Sequence, residues 1–250
     1  MIILAKMSGL SYFCSMRKII TVALVLLSLA SARAQSLTDS PYFGFSNEQF
    51  RVGMLDYLGF GFVMPQGGDA TYLANTSFGR NREIFFNLVR ADFRPYHSGS
   101  VMLGADLQWT AYRLKKDFYW LPDGRGAVDV ASSAPAYKSV RKSTLRVMSF
   151  VFPLDFTQRF GPVSLSLGAQ AELNIPGRTK FRGVDASGAE IRQTKSGPLR
   201  DKNIRTEVFT YSFRAMLSYW GYGIYFRYRP VPQIVDCPGG ETFTLGLIFR

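Results

Sequence analysis

The stretch from Pro162 to Ile175 alternates apolar and polar side chains without interruption. Val, Leu, Ala and Ile fill the odd positions from Val163 onward, and Ser, Gly, Gln, Glu and Asn fill the even ones. A period of two predicts a β-strand with one apolar and one polar face. A strand in a soluble protein averages about 5–6 residues, whereas a tilted strand that crosses a bilayer needs about 9–11. The stretch is therefore long enough to cross a membrane.

The N-terminus has the three parts of a Sec-type signal peptide. Residues 16–18 are basic at two of three positions, residues 19–29 are almost wholly apolar, and Ala32-Arg33-Ala34 fits the cleavage pattern. We predict a signal peptide over residues 1–34, with Met16 as an alternative start, a short periplasmic leader over 35–47, and a barrel over 48–250. A signal peptide predicts export; together with the strand pattern described below, it predicts the cell outer membrane of a Gram-negative bacterium as the location.

The chain is basic, and its predicted export limits which anionic partners that charge can bind. Cleavage removes four basic residues and no acidic ones, which lowers the formal net charge from +12 to +8. A basic chain often binds nucleic acid, but export makes nucleic acid a poor candidate here, and membrane phosphates are the better partner. Cys14 leaves with the signal peptide, and Cys237 then has no partner for an intrachain disulfide.

Eight segments have the length and pattern of membrane strands. The connections between them alternate strictly between short turns and long polar loops, with turns near 95–98, 159–161 and 220–221. This alternation and the even count predict an all-β, eight-stranded antiparallel up-and-down transmembrane β-barrel with long external loops. The segments cover roughly 48–64, 82–94, 99–114, 141–157, 162–182, 203–219, 222–230 and 241–250. Asn87 and Pro153 interrupt the pattern, and we expect bulges there.

Alternation alone does not say which face meets lipid, because a soluble lipocalin-like barrel has the same period with its apolar face inside. An eight-stranded barrel encloses little more than its own side chains. The apolar faces carry too many of the 21 Phe, 13 Tyr and 3 Trp to fit there. We therefore expect the apolar faces to point outward. Aromatic residues at the short turns suit a membrane-interface girdle: Phe93, Tyr96, Phe156, Phe160, Tyr219, Trp220 and Tyr222.

Several short phrases resemble the small outer-membrane β-barrel proteins of Bacteroidetes, of the PorT-like and OmpX/OmpA-like type. They are Phe152-Pro153-Leu154-Asp155-Phe156 to Phe160-Gly161-Pro162, the run from Leu165 to Leu173, Tyr225-Phe226-Arg227-Tyr228-Arg229-Pro230, and the closing stretch from Thr242 to Phe249. The resemblance implies an outer-membrane barrel and implies no single activity. Terminal strands of this family end on an aromatic residue that the barrel-insertion machinery reads; here Phe249 is followed by Arg250.

Charged residues on the polar faces are the first candidate site. Asp106, Glu172, Arg214 and Arg227 fall on predicted interior faces of four different strands. Because buried charge must be paired or hydrated, we expect salt bridges that fill the interior. An ion path or a gating pair is the alternative.

Basic residues near the outer strand ends and in the loops are the second candidate site. Lipopolysaccharide phosphates lie at that level and pair well with Arg and Lys, whereas a solvated rim is the alternative. The residues that we single out are Lys115, Lys116, Arg141, Lys142, Arg178, Lys180, Arg182 and Lys202.

Catalysis has little support in the sequence. Barrel enzymes that act on lipid resemble one another in placing a His beside Ser, Asp or Glu near the outer rim. The single His, His97, falls in a predicted periplasmic turn. We expect no catalytic, cofactor-binding or metal site and no cofactor. Gly59 and Gly61 lie inside a strand, where Gly marks a bulge or a close approach.

We therefore predict a non-enzymatic, porin-like outer-membrane barrel whose external loops bind lipopolysaccharide, surfaces or partner membrane proteins. Its partners are outer-membrane lipid and lipopolysaccharide, the barrel-insertion machinery during biogenesis, and partner membrane proteins, without nucleic acid. The first alternative is a narrow pore or an accessory part of a secretion or transport apparatus. The second is a lipid-modifying enzyme of the outer membrane.

Overall fold

The computed structural model describes residues 50–66, 70–76, 79–96, 98–122, 128–132, 137–195, 206–235 and 240–249. The predicted signal peptide, the predicted leader, His97, Lys202 and Cys237 lie outside these residues. Within them, no helix is long and apolar enough to cross a membrane.

The described chain consists of twelve strands and one short helix, α1, at Ala70–Asn75. The strands are β1 Phe50–Gly53, β2 Leu58–Gln66, β3 Arg82–Tyr96, β4 Gly99–Arg113, β5 Phe118–Pro122, β6 Val128–Ser132, β7 Tyr137–Phe160, β8 Val163–Asp185, β9 Glu190–Lys195, β10 Phe209–Tyr219, β11 Tyr222–Arg229 and β12 Glu241–Phe249.

Eight of these strands form a closed ring within the compact unit Gly53–Arg250. In order around the ring they are β2, β3, β4, β7, β8, β10, β11 and β12, each antiparallel to the next. Pairing of β12 with β2, from Glu241–Gln66 to Phe249–Leu58, closes it. Closure leaves no unpaired edge in the ring, which a membrane-spanning sheet requires.

The apolar faces point outward, as the volume argument predicts. Side chains at alternate positions are exposed along each ring strand, and those between them are buried and largely polar. The exposed set includes Trp109, Phe152, Leu154, Phe213, Leu217, Ile224, Phe226, Leu245 and Leu247. A large apolar surface of this kind is stable in lipid and not in water. The fold is therefore an eight-stranded antiparallel up-and-down transmembrane β-barrel.

Three tight turns lie at one end of the ring, which we call the short-turn end; the opposite end is the long-loop end. β10 and β11 are joined by Trp220 and Gly221 alone, with φ of 49° and 88°. Two consecutive residues with positive φ are typical of the type I′ turn, whose twist matches that of the flanking strands. Trp220, Phe160 and Tyr222 are exposed at this end, as expected for aromatic residues at a membrane interface.

Two predicted strand bounds are wrong. The segment predicted as one strand over 48–64 is two strands, β1 and β2, because the chain turns between them at Leu55, whose φ is 55°. The segment predicted over 203–219 begins its ladder only at Phe209. Before that point Thr206 forms an isolated bridge with Ile234, so this part of the chain pairs with the loop after β11.

Of the two predicted bulges, one is present. The register between β3 and β4 shifts after Asn87, which confirms the first. Pro153 is not a bulge, since it pairs in register with Gln170 of β8. The β4–β7 ladder skips instead from the Leu103–Leu154 pair to the Asp106–Val151 pair without a shift. Proline lacks the N–H that a ladder needs, which accounts for a local gap in the ladder.

The ring strands extend to different heights at the long-loop end. β3 and β4 have 15 residues each, and β7 and β8 have 24 and 23, whereas β2, β10, β11 and β12 have 8 to 11. The predicted loops 65–81, 115–140 and 183–202 also contain regular structure: α1, the β5–β6 hairpin and β9. The four long strands form a tall wall on one side of the barrel, and β9 pairs with the top of it.

Candidate functional site

An arginine and two aspartates form the first charged cluster inside the barrel. Arg214 of β10 binds Asp155 of β7 and lies 3.5 Å from Asp106 of β4. The hydroxyl of Tyr57 donates to both carboxylate oxygens of Asp106 at 2.8 Å. The guanidinium of Arg214 also lies 5.8 Å from the ring centroid of Phe85, within range of a cation–π interaction. Every charge in this cluster therefore has a partner of opposite sign.

The second cluster joins β11 to strands on the far side of the ring. Arg227 lies 2.6 Å from Glu83 of β3 and also binds Gln108 of β4. Arg229 donates to both carboxylate oxygens of Glu172, at 2.9 and 3.0 Å, and lies 3.6 Å from Glu83. Glu83 thus links the two arginines. The cluster ties β3, β4, β8 and β11 together through the interior.

The four predicted interior residues all lie inside the barrel, but the structure brings together only one pair of them, Asp106 with Arg214. Glu172 and Arg227 take partners that the sequence analysis left out of the site. The residues it missed are Glu83, Asp155 and Arg229. Arg229 shares its strand face with Arg227, so alternation alone was enough to find it. Asp155 and Glu83 lie on strands whose alternation is poor.

Apolar clusters lie on both sides of the charged interior. Toward the short-turn end are Tyr57, Phe85, Met102, Met216, Tyr225 and Ile248. Toward the long-loop end are Val63, Tyr112, Leu114, Trp120, Leu145, Val147 and Ile234, with Phe118 packed against them. Trp120 and Phe118 belong to the β5–β6 hairpin, and Ile234 to the loop after β11, so two of the long connections fold back over the barrel opening.

Gln233 shows how deeply one of these connections enters. Its side-chain amide donates to Ser149, Asn174 and Glu172 at 3.1, 3.0 and 3.3 Å. Its carbonyl accepts from the Tyr112 hydroxyl at 2.9 Å. A loop residue therefore satisfies interior polar groups of three strands. This anchors the loop to the interior network.

Basic side chains form a second feature, on the outward face of the tall wall. We call it the basic belt: Arg82, Arg113, Lys142, Arg146, Lys180 and Arg182. Strand register places them in three rows. Arg82 and Arg146 flank Ala111 in the first row; Arg113 and Lys180 flank Thr144 in the second; Lys142 pairs directly with Arg182 in the third.

The height of the belt follows from its strands. Arg82, Arg113 and Arg146 each lie 14 residues from the short-turn end of their strand. At about 3.3 Å per residue and a tilt near 40°, this is roughly 35 Å along the barrel axis. The apolar band of an outer-membrane barrel is about 25 Å tall. The belt therefore lies just beyond the apolar band.

The belt concentrates positive charge. Partial burial lowers the pKa of the Lys142 amine, and the charges of Arg113, Lys180, Arg146 and Arg182 lower it further. Partial burial also lowers the pKa of Arg113, with Arg80 and Arg82 adding to the effect. Of the described residues, no carboxylate forms a salt bridge with any member of the belt. The belt therefore repels itself, and a bound anion would relieve that repulsion.

The other predicted basic residues are placed differently. Lys115, Lys116 and Arg141 are exposed near the upper ends of β4 and β7, and the Lys115 amine contacts the carbonyl of Ala74. Arg178 pairs in register with Arg146, which places its backbone in the first row of the belt. Arg82, Arg113 and Arg146 were not among the predicted residues, although the alternation of the strands places all three on the outward face beyond the apolar band.

No group of three or more His, Cys, Asp or Glu side chains within the described ranges is arranged to hold a metal ion. The carboxylates inside the barrel are instead engaged by arginines, as described above.

No protein-family model matches the chain, and no curated protein matches it. Among solved structures, it is similar to two crystal structures of Ail, the attachment invasion locus protein of Yersinia pestis. One of them is in complex with the heparin analogue sucrose octasulfate. In both cases the identity is 13%, the TM-score is 0.33, and the match covers 80% of this chain and 97% of Ail.

Proposed function

We propose that the protein is a non-enzymatic outer-membrane barrel with a closed interior, whose basic long-loop end binds polyanionic ligands outside the cell, lipopolysaccharide first among them. The observation that carries the closed interior is the burial of its charges. Arg214, Arg227 and Glu172 have relative exposures of 2%, 1% and 0%. Side chains that line a water-filled pore are exposed to that water, so this burial argues against the pore alternative.

The polyanion part of the proposal rests on where charge lies. Interior arginines are engaged by carboxylates, whereas the belt and the exposed Lys115, Lys116 and Arg141 present unneutralised positive charge at the long-loop end. Phosphate and sulfate groups bind such side chains through charge-assisted hydrogen bonds. Surfaces and partner membrane proteins with acidic patches satisfy the same chemistry. The assignment to the PorT-like group of Bacteroidetes, the cleaved signal peptide and the role of Phe249 in insertion remain predictions.

Three measurements test the proposal: conductance, vesicle binding, and the mass of lipid A from cells with and without the protein. The refolded protein in a planar bilayer should give no steady conductance, and its binding to vesicles that contain lipopolysaccharide should fall as salt rises, because exposed charge pairs are screened. Vesicles of neutral phospholipid are the control. A stable ohmic conductance would establish the pore alternative instead. Equal binding to both kinds of vesicle would remove the polyanion part of the proposal, and a change in the mass of lipid A would indicate an enzyme.

A further inference from the structure

We infer that the basic belt is a lateral binding site for one phosphorylated glycolipid of the surrounding leaflet, which lies against the outside of the tall wall. The belt holds the phosphate groups of the lipid, and its acyl chains follow the apolar side chains below. This inference rests on the proposed outer-membrane location and deepens the proposed polyanion binding, since it names the ligand class and the side of the barrel that binds it.

Position along the strands indicates an amphiphilic ligand. Arg82 is two residues above Ile84 on the same outward face of β3, and Arg113 is four residues above Trp109 on β4. Ile84 and Trp109 are exposed large side chains of the apolar band. Two residues of strand span roughly 7 Å, so the charge begins within one side-chain length of the apolar band. A ligand that uses both surfaces carries anionic groups directly above its hydrocarbon.

Spacing across the strands suits more than one phosphate. Arg82 and Arg146 lie in one row with Ala111 between them. They are therefore two strand spacings apart, or about 10 Å between backbones. Arg113 lies between them and one row higher. A headgroup that carries two phosphates can engage Arg82 and Arg146 together, with Arg113 reaching the sugar or either phosphate.

Unneutralised charge distinguishes the belt from the interior arginines and from Arg192. The interior arginines each contact a carboxylate, and exposed Arg192 on β9 lies 3.1 Å from Glu190. The belt has no such partners in the part of the chain that the structure describes. Its members are also partly withdrawn from water at Arg113, Lys142 and Lys180. Charge that is both clustered and partly desolvated costs free energy unless an anion is present.

The belt is confined to one side. On the low side of the barrel, the corresponding strand ends carry aromatic residues and one acid: Phe209, Tyr228, Phe243 and Glu241. The Tyr228 hydroxyl donates to the Glu241 carboxylate at 2.9 Å. A carboxylate at the interface repels phosphate. Among the described residues, the tall wall therefore has the charge that a phosphorylated lipid needs, and the strand ends of the opposite side do not.

The experiment compares two triple variants that lose the same charge in different places. The belt variant is Arg113→Gln, Arg146→Gln and Lys180→Gln. The control variant is Arg51→Gln, Lys138→Gln and Arg192→Gln, three exposed residues that belong neither to the belt nor to the set Lys115, Lys116 and Arg141. Each protein is purified in neutral detergent, and a shift in gel migration on boiling verifies that it is folded. Binding is measured for bisphosphorylated lipid A, for dephosphorylated lipid A and for soluble inorganic polyphosphate.

We expect the loss of lipid A binding to depend on which basic residues are changed and on the presence of the phosphate groups. The belt variant loses the charge-assisted contacts of Arg113 and Arg146, and each contact contributes about tenfold to affinity. Its binding of lipid A should therefore weaken on the order of 100-fold. The control variant should change it by less than about threefold, as expected for exposed charges. Dephosphorylated lipid A should bind all three proteins weakly and equally.

Three results would overturn the inference. An equal loss in both variants would mean that total charge and not the belt governs binding, and the proposed polyanion function would stand. Wild-type binding of polyphosphate without binding of lipid A would also leave that function in place and remove the lipid site. Failure of the wild-type protein to bind either ligand would remove both.

Discussion

Arg229 and Glu172 meet inside the barrel as a two-point pair: the Nε of Arg229 lies 2.9 Å from one carboxylate oxygen, and its Nη2 lies 3.0 Å from the other. Ser212 also donates to this carboxylate, at 2.6 Å. Both side chains are withdrawn from water. The pair connects β11 to β8 across β10, so it braces the ring beyond the backbone ladder.

Arg229→Met should destabilise the folded barrel by about 3–5 kcal/mol, because it leaves the Glu172 carboxylate buried without its charge partner. The double variant Arg229→Met with Glu172→Gln should recover most of that loss, because it buries no net charge. Equilibrium unfolding by urea in detergent, followed by gel migration, measures both. A double variant no more stable than the single variant would mean that the pair does not act as a unit.

Gly59 is predicted to be intolerant of any side chain. A Cβ at this position would lie 2.2 Å from a ring carbon of Phe85, which packs against the β2 backbone. A glycine inside a strand marks either a bulge or a close approach. The register of β2 is regular on both sides, so the close approach is the reason here. Gly59→Ala should cost about 1–3 kcal/mol through overpacking.

The matched control for Gly59→Ala is Phe85→Leu together with Gly59→Ala. The smaller side chain at position 85 makes room for the new methyl group, so the double variant should be more stable than expected from the sum of the single changes. The same urea titration measures the coupling. Strict additivity would contradict the contact between these two residues.

Binding of lipid A should weaken as pH rises through the lowered pKa of Lys142. The pKa of Lys142 is lowered by burial and by its basic neighbours, whereas a bound phosphate stabilises the charged amine. Affinity is therefore full while Lys142 is protonated and falls as pH rises through its lowered pKa, below the ordinary lysine value near 10.4. In the absence of ligand, the pH dependence of folding stability has the opposite sign to that of binding. The unfolded chain binds the proton more tightly, so stability rises with pH over the same window.

Lys142→Arg provides the control for this pH dependence. An arginine stays protonated across the whole range, so lipid A binding by the variant should fall less with rising pH than that of the wild type, which loses the charge of Lys142. Titration of the affinity between pH 7 and pH 10 for both proteins distinguishes them. Identical pH profiles would show that Lys142 does not contact the phosphates.

Much of the fold followed from periodicity. The runs around Leu165 and Leu245 alternate cleanly, and the short turn at Trp220-Gly221 lies between two such runs, so strand count and direction could be predicted. The turn at Leu55 could not, because nothing in its local sequence requires a positive φ. The β5–β6 hairpin was also missed. Its strands are five residues each. An alternation of apolar and polar residues over so few positions cannot be distinguished from the sequence of a loop.

The site was predicted less completely than the fold. The alternation of positions along a strand identifies which side chains face the interior, so the sequence pointed to Asp106, Glu172, Arg214 and Arg227. It does not tell which of them meet across the barrel, because that depends on strand tilt and stagger around the ring. Asp155, the partner of Arg214, comes two residues after Pro153, where the ladder is interrupted. The alternation breaks at this point, so the sequence does not show which way Asp155 faces, and Asp155 was not among the predicted interior charges.

The outward orientation of the apolar faces is tested most directly by a variant that retains Trp109 alone, with Trp120→Phe and Trp220→Phe. Trp109 lies on the outward face in the apolar band. In bilayers, brominated phospholipid should quench its fluorescence strongly, and aqueous iodide should leave it unchanged. A matched variant that retains only Trp120, a buried residue of the β5–β6 hairpin, should be quenched weakly by both. Quenching of Trp109 by iodide and not by the brominated lipid would contradict a barrel that meets lipid with its apolar side.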